Sequence, residues 1–313
     1  MMLSRVGDQI FWMSRFMERA ENLARILGVT ANVVLCTTPE TQEQNLLAPL
    51  TITASTQAYF ERHDRISLPT LIDFMGLDAE NPSSIYTCIK SARDNAHASR
   101  WQITSEMWET LNATWIEMRS FQRASVTGPE ATRFFDWVKE RSHLFRGVTY
   151  GTLMRGEAFH FSRLGTFLER ADDTARILDV KYHILLPRVE DVGGALDYYQ
   201  WAALLKSVSS FETYRTIYRD QVRPINVAEL LILDRRMPRS LAACLEQIDQ
   251  ALARLEGRHD QPAKRLSAEL QARLVHGDID EIFRDGLHEY LTVFLEDIDE
   301  LGCRIQRAYL GAL

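Results

Sequence analysis

The chain has 313 residues, of which 46% are hydrophobic and 25% are charged, a composition typical of globular proteins with a large buried core. The formal net charge is −7, so the chain lacks the basic character with which proteins neutralise phosphates, and we expect no nucleic acid among its partners. No run of about 18 apolar residues occurs, so we also expect no membrane-spanning segment and no membrane partner.

The first predicted element is a long amphipathic helix near the N-terminus. Apolar side chains from Ile10 to Leu27 recur at three- and four-residue intervals and fall within one arc of a helical wheel. The same periodicity continues to the end of the chain, whereas the alternation typical of strands is hard to find. Asn81 and Pro82 suit an N-cap and a first helical turn, and Pro238 occupies the matching place later in the chain. We therefore predict an all-α fold.

Two segments of the chain repeat in the same order and at nearly constant spacing. Phe16–Leu27 (FMERAENLARIL) recurs 151 positions later as Phe167–Leu178 (FLERADDTARIL), and Leu77–Ile89 aligns with Leu233–Leu245 at an offset of 156. Two such pairs favour a tandem duplication of about half the chain. We predict an internally duplicated helical bundle with pseudo-twofold symmetry, its repeats packed as one globular body. The predicted repeats are residues 1–150 and 151–313.

The N-terminal sequence and the cysteines indicate in which cellular compartment the protein is expected. Asp8 interrupts the apolar stretch that a signal peptide would need. The cysteines are widely separated, form no C-x-x-C pair, and in two cases occupy matching positions of the repeat, so we expect buried, reduced thiols. We therefore expect a cytoplasmic protein. The four cysteines are Cys36, Cys88, Cys244 and Cys303.

The repeated helix carries the charged side chains on which a functional site would depend. Glu18 and Arg25 lie on nearly the same side of the helical wheel, and Glu21 can pair with Arg25 one turn later. An exposed ion pair contributes only about 0–1 kcal/mol, so stability alone gives weak reason for both copies to carry these charges. We infer a partly buried network between the two helices, which either fixes their packing or contacts a ligand. The second copy carries the corresponding charges at Glu169, Asp172 and Arg176.

Two further patterns have both a structural and a functional interpretation. Glu140–His143 and Glu157–His160 have the E-x-x-H spacing of carboxylate-bridged di-metal bundles, but such matches also arise by chance in a chain of this length, and we expect no metal and no cofactor. The chain has no glycine-rich phosphate loop, so ATP chemistry would need a partner. A tryptophan-rich stripe suits either core packing or an apolar docking surface, and comprises Trp101, Met107, Trp108 and Trp115.

A set of motifs extends over nearly the whole chain. Leu3–Val6 is followed by Phe11–Asn22 (FWMSRFMERAEN), and further motifs occur at Ala92–Ala96, Leu144–Gly147 and Thr152–Glu157. Together they resemble the bacterial alpha-E domain family, an all-helical group of unknown function. The resemblance implies an association with circularly permuted ATP-grasp ligases and with transglutaminase-like proteins, and hence with peptide or amide ligation.

The same resemblance implies, by position, which side chains contact a ligand or take part in chemistry. The carboxylate candidates for catalysis are Glu18, Glu21, Glu169 and Asp172. The candidates for ligand binding are Arg15, Arg19, Arg25, Arg93, Asn95, Arg100, Arg155, Glu157, Arg170 and Arg176, and the same motifs include Glu106 and Trp108.

The two halves differ within these motifs. Trp12 and Arg15 of the first copy correspond to Arg163 and Thr166 of the second, so the halves cannot supply identical sites. His97 stands where the resemblance implies an arginine.

Three functions remain open from the sequence. The resemblance favours a non-catalytic accessory partner of an ATP-grasp-type ligase, which holds the ligase or its peptide substrate. The alternative is an enzyme whose Glu18 and Glu169, with the adjacent arginines, bind an anionic or amino-acid-like substrate and transfer protons. The third is a purely structural scaffold. A large exposed apolar surface would favour the accessory protein, and a cleft lined by the repeated charges, with a perturbed carboxylate, would favour the enzyme.

Overall fold

The computed structural model describes residues 2–35, 39–121, 126, 131–184, 194–257 and 259–311. Regular structure in these residues is entirely helical, which confirms the predicted all-α class. None of the helices in this part of the chain has both the length and the apolar composition needed to cross a bilayer. The helices are α1 (Ser4–Leu35), α2 (Pro39–Ile52), α3 (Thr56–Phe60), α4 (Leu68–Ile72), α5 (Ile85–Ala98), α6 (Ser105–Met118), α7 (Ala131–Thr152), α8 (Glu157–Ile184), α9 (Ala195–Ser207), α10 (Phe211–Tyr218), α11 (Pro224–Ile232), α12 (Leu241–Leu252), α13 (Gln261–Val275), α14 (Ile279–Asp285) and α15 (Leu287–Ile305).

Two long helices, α1 and α8, carry the repeated segments and pack against each other along much of their length. α1 also contacts α5 and α7, whereas α8 also contacts α12 and α15. The central helices approach closely because Gly165 of α8 has no side chain, and a Cβ atom there would lie 2.2 Å from the Phe11 carbonyl oxygen. The hydroxyl groups of Ser14 and Ser162 form a 2.8 Å hydrogen bond between the same two helices. Small residues therefore set the distance between α1 and α8.

The apolar face of α1 contributes to two hydrophobic clusters. Ile10 and Met13, near its N-terminus, pack with side chains of α8 and of the helices that follow it. Leu23 and Leu27, two turns or more further on, pack with side chains that extend from α2 to α7. Burying each such side chain contributes about 1.5–3 kcal/mol. Both clusters thus hold α1 at the centre and fix the direction of the face that carries its charges.

Helices α5 and α12 begin with the same cap, one turn later than the sequence pattern predicts. Ser84 is the N-cap of α5, and its Oγ accepts a hydrogen bond from the backbone N–H three residues later at 3.1 Å. Ser240 caps α12 in the same way at 3.0 Å. The prediction of an N-cap at Asn81 was wrong, because its side-chain amide donates instead to a backbone carbonyl of the preceding turn. Pro238 likewise precedes its helix.

Cys88 and Cys244 lie on α5 and α12 and are buried, free thiols, as predicted. Burial raises the pKa of each thiol to about 12, so both stay protonated at neutral pH. Cys303 is half-buried and also free. Cys36 lies outside the described residues.

The tryptophan-rich stripe is divided between core and surface. Met107 is fully buried, and Trp108 and Trp115 are half-buried beside the core. Trp101 is 69% exposed, so core packing, the first of the two alternatives, does not apply to this residue. It belongs to a short 3-10 turn, Arg100–Gln102, that joins α5 to α6 and leaves its ring outside the helical layers.

Candidate functional site

Glu18 of α1 is the centre of a buried charge network. Its side chain is 1% exposed and accepts hydrogen bonds from arginines of three other segments. Arg170 on α8 donates from Nε to Oε1 at 2.8 Å and from Nη2 to Oε2 at 2.9 Å. Arg146 on α7 donates to Oε2 at 3.0 Å, and Arg239, just before α12, donates to Oε1 at 3.1 Å. The bidentate pair and the two added donors meet the requirement that a buried charge be fully paired.

Glu21 lies one turn along α1 and extends the same network. Its Oε1 accepts hydrogen bonds from Arg239 at 2.6 Å and from Arg25 at 2.8 Å, so the predicted pair of Glu21 with Arg25 is present. Its Oε2 accepts from the Ser142 hydroxyl at 2.7 Å and from Arg146. Arg146 and Arg239 each contact both carboxylates and thereby join them into one cluster.

Glu169 on α8 holds the corresponding position in the second repeated segment. Arg15 donates to its Oε2 at 2.7 Å, and Arg19 donates to both of its carboxylate oxygens. The two Glu-Arg pairs therefore cross between the helices, because Arg19 of α1 reaches Glu169 while Arg170 of α8 reaches Glu18. An exchange of equivalent contacts is the arrangement that a twofold axis produces.

Asn22 and Asp173 meet one turn beyond this exchange. They are 151 positions apart, the offset of the repeated segments, and the Asn22 side-chain amide donates to the Asp173 carboxyl group. Each residue thus contacts its own counterpart in the other repeated segment.

The guanidinium groups keep the repeated glutamates ionised. Burial by itself opposes ionisation of Glu18, but Arg170 and Arg239 lower its pKa to about 2. The pKa values of Glu21 and Glu169 also lie below the usual range, because burial is outweighed by their hydrogen bonds and by the charges of the surrounding arginines. All three carboxylates are therefore negatively charged at neutral pH.

A cleft of about 180 Å³ opens beside Glu169. Asp172 borders it and pairs with Arg176 one turn later at 2.8 Å. Burial, together with the charges of Glu169 and Asp172, raises the pKa of Asp173 well above its usual range. The cleft therefore combines the ionised Glu169, the Asp172 side chain, guanidinium groups and a carboxyl group, that of Asp173, which resists ionisation. Its lining consists of Arg19, Leu23, Ile26, Ile52, Thr53, Ala54, Ser83, Glu169, Asp172, Asp173 and Arg176.

Two arginines of the network were not among the predicted site residues. Arg146 belongs to the Leu144–Gly147 motif, one of those on which the family resemblance rests, but the resemblance implies no role for this arginine. Arg239 lies 221 positions from Glu18 and 218 from Glu21. It follows Pro238 in the repeated segment Leu233–Leu245, where the corresponding residue of the first copy is Ser83, so the repeat gave no reason to expect a charge there. No local spacing rule connects such distant positions.

Several predicted ligand-binding residues lie apart from the network. Arg93 and Arg100 place their guanidinium groups over the Trp108 ring, at 5.2 and 5.3 Å from its centre. Asn95 donates to a backbone carbonyl of its own helix, and Glu106 is exposed in the first turn of α6. These residues form or border the stack of two arginines on Trp108, and none of their described contacts is with the repeated glutamates.

Arg155 and Glu157 flank the start of α8. Arg155 lies 4.1 Å from the centres of the Tyr150 and Phe159 rings, and it donates to the Tyr150 carbonyl oxygen at 2.9 Å. Glu157 accepts a hydrogen bond from the Met2 backbone N–H. Neither contacts the repeated glutamates among the hydrogen bonds that the structure describes.

The two E-x-x-H segments do not form a metal centre. Within the described ranges, no three His, Cys, Asp or Glu side chains are grouped in a way that could hold a metal ion. His143 instead lies 3.5 Å from Glu21, at the edge of the arginine network.

Comparison with known proteins assigns the chain to a family. It belongs to the Alpha-E family, described as a predicted alpha-helical domain with a conserved ER motif, whose sequence model matches residues 2–310. The chain is also similar to the uncharacterized protein Rv2567 of Mycobacterium tuberculosis and the uncharacterized protein Mb2597 of Mycobacterium bovis. Identity to each is 25% over an alignment of 317 positions, which covers 94% of this chain and 35% of the relative. The chain thus spans about a third of their length. No solved structure matches.

Proposed function

We propose that the chain is an accessory helical module of an ATP-grasp-type peptide or amide ligase system, in which it holds the ligase or its peptide substrate. The state of the repeated glutamates carries this proposal. A general base works best with a pKa near the operating pH and must reach its substrate, whereas Glu18 is buried and has a pKa of about 2. Glu21 is equally enclosed and ionised. Carboxylates in this state are suited to holding helices in register.

The length of the relatives also supports an accessory role. The mycobacterial proteins are much longer than the region that matches this chain, so that region is one part of each. The chain itself has no glycine-rich phosphate loop, which leaves nucleotide chemistry to a neighbour or partner. A transglutaminase-like protein is the second partner that the resemblance implies, and we place the association in the cytoplasm.

We further propose that residues 1–150 and 151–313 are two copies of one helical unit related by a pseudo-twofold axis. The exchanged pairs of Glu18 with Arg170 and of Arg19 with Glu169 support this relation. So do the matching caps, since Ser84 and Ser240 also donate to the backbone carbonyl six residues earlier at 2.6 and 2.7 Å.

An exposed apolar surface is our candidate docking site for the ligase. Trp101 is 69% exposed and Met154 is 82% exposed. The turns that carry them are joined by a 2.8 Å hydrogen bond between the Thr104 and Thr152 hydroxyl groups. A large exposed aromatic ring is typical of the centre of a protein interface, and its removal often costs more than 1 kcal/mol of binding free energy.

The test is co-purification of the tagged protein from its native host, with the recovered partners identified by mass spectrometry. We expect an ATP-grasp ligase in stoichiometric amount, and its loss from the variant that combines Trp101→Ala with Met154→Ala. Val293→Ala is the matched control, because Val293 is 48% exposed on α15. Recovery of the protein without a ligase, or equal recovery with both variants, would contradict the proposal.

The cleft beside Glu169 supports a second candidate, an enzyme or binding protein for an amino-acid-like molecule. Mixed charges suit a zwitterion, and a carboxyl group with a raised pKa is a common feature of catalytic sites. The test is titration with glutamate and with a glycyl-glutamate dipeptide, followed by calorimetry. We expect binding that Asp172→Asn weakens and that Asp299→Asn, at an exposed position of α15, leaves unchanged. If neither probe binds the parent protein, the candidate is rejected.

A further inference from the structure

A second cavity, of about 280 Å³, lies between α7 and α8 and is locally basic. Its lining residues include three arginines and two aromatic residues, namely Arg146, Arg163, Arg170, Tyr150 and Phe159. None of the described residues that line it is acidic. The cavity therefore concentrates positive charge on a chain whose net charge is −7.

Arg163 differs from the other central arginines because none of the carboxylates in the described ranges pairs with it. Its Nη2 donates to the side-chain oxygen of Gln247, and its guanidinium group lies 4.3 Å from the centre of the Phe167 ring. Its Nε and Nη1 have no acceptor in the described part of the chain. Burial and the neighbouring guanidinium group of Arg170 lower the pKa of Arg163 to about 10, as expected for a positive charge without a counterion.

The network beside this cavity also carries an excess of positive charge. In the described residues, Glu18 and Glu21 face four guanidinium groups, from Arg25, Arg146, Arg170 and Arg239. To acceptors in the described part of the chain, Arg146 donates only from its Nη1, which leaves its Nε and Nη2 for an external acceptor. Partly buried charges of one sign favour binding of a counterion.

A sequence difference between the two repeated segments explains why this cavity lies beside α8. Arg15 of the first copy crosses to Glu169, and its guanidinium group lies 4.9 Å from the centre of the Trp12 ring. In the second copy, Thr166 corresponds to Arg15 and Arg163 corresponds to Trp12. Both Thr166 and Arg163 line the cavity. The short Thr166 side chain leaves open the space that a longer one would fill.

We propose that this cavity binds a small organic anion, whose carboxylate or phosphate oxygens pair with Arg163 and Arg146 and whose apolar part packs against Tyr150 and Phe159. Guanidinium groups bind both kinds of oxyanion in bidentate fashion, and aromatic walls with a few polar groups are typical of small-molecule sites. The site is separate from the cleft at Glu169 and does not depend on the accessory role.

The experiment is isothermal titration of the full chain with phenyl phosphate, with N-benzoylglycine and with the neutral benzyl alcohol. We expect one of the two anions to bind with 1:1 stoichiometry, and the one that binds identifies the anionic group. Arg163→Gln should weaken binding by at least about tenfold, the equivalent of one charge-assisted hydrogen bond. Arg284→Gln, an exposed position of α14, should leave binding unchanged.

A second variant guards against a folding defect at Arg163. Thr166→Phe keeps Arg163 and fills the space beside it with a neutral side chain, so it should abolish binding while the far-ultraviolet circular dichroism matches that of the parent. The proposal is overturned if neither anion binds, if benzyl alcohol binds as tightly as the anions, or if Arg163→Gln and Thr166→Phe both bind like the parent.

Discussion

At Glu18 a single carboxylate accepts hydrogen bonds from Arg170, Arg146 and Arg239. Removal of its charge leaves these guanidinium groups buried together, and loss of one partner of a buried ion pair costs about 3–5 kcal/mol. We predict that Glu18→Gln lowers the free energy of unfolding by this amount, measured by urea denaturation at pH 7.

The control for this substitution is Glu140→Gln on α7, whose side chain is exposed. Surface substitutions of this kind usually change stability by less than about 0.5 kcal/mol. Equal stability of the Glu18→Gln protein and its parent would show that the network does not support the fold.

Asp173 should make the protein less stable as the pH rises. Its folded-state pKa lies well above the ordinary value of 3.8, so the folded protein binds this proton more tightly than the unfolded chain. The stability that this bound proton contributes to the folded protein is fully present below about pH 3.8 and is lost as the pH rises towards the raised pKa. Asp173→Asn abolishes this titration and keeps an acceptor for Asn22. We predict that its melting temperature relative to the parent rises as the pH increases from about 4 towards the raised pKa.

The measurement is differential scanning calorimetry across that pH range, with Asp299→Asn on α15 as the exposed control. Parallel curves for the parent and Asp173→Asn would mean that Asp173 ionises as readily in the folded protein as in the unfolded chain.

The glutamates of the network could be predicted from the sequence, but their full set of partners could not. Glu18 and Glu169 stand out because the repeat duplicates their surroundings, and the pair of Glu21 with Arg25 follows from helical spacing. Arg239 reaches Glu18 across 221 positions, a contact that depends on the packing of α12 against α8. Local patterns contain no information on such packing.

At the scale of elements, the approach of α1 and α8 depends on Gly165. Alanine in a helix is normally more favourable than glycine by about 0.5–1 kcal/mol. Here a Cβ atom would lie 2.2 Å from the Phe11 carbonyl oxygen, so the helices would have to separate. We predict that Gly165→Ala destabilises the protein by about 1–3 kcal/mol, the usual cost of overpacking, measured by thermal unfolding.

Gly147→Ala offers a matched control within α7. Apart from its chain neighbours and the backbone of α7 itself, no atom of the described residues lies within 4 Å of the position that its Cβ would occupy, so this substitution should raise the melting temperature. Equal effects of the two substitutions would show that close contact between the central helices is unimportant.

The helices themselves could be predicted better than their ends. Apolar periodicity along α1 reflects the two clusters that it contacts, and so it predicts the helix directly. The start of α5 could not be placed from composition, because Asn81 and Ser84 are both good N-cap residues. Tertiary structure decides between them, since Asn81 is held by the turn before the helix.

For the whole molecule, the crossed ion pairs predict that neither half is stable alone. In residues 1–150 alone, Arg15 and Arg19 would be exposed and would lose their partner Glu169. In residues 151–313 alone, Arg170 would lose its partner Glu18. We predict that each half, produced separately, shows no cooperative thermal unfolding, and that mixing the halves restores it. The measurement is circular dichroism at 222 nm during heating.

An equimolar mixture of one half with an unrelated helical protein serves as the control. A cooperative transition in either isolated half would show that the halves are independent domains.

The contact between Asn22 and Asp173 has a consequence for how such a protein can evolve. In a homodimer, a residue on the twofold axis must meet an identical residue, so two aspartates there would repel each other unless they shared a proton. A single continuous chain can carry an amide on one side and a carboxyl group on the other, as this one does. Under the duplication proposed above, covalent fusion permits a donor and an acceptor to specialise at a position where a symmetric dimer of one gene product would have to keep them the same.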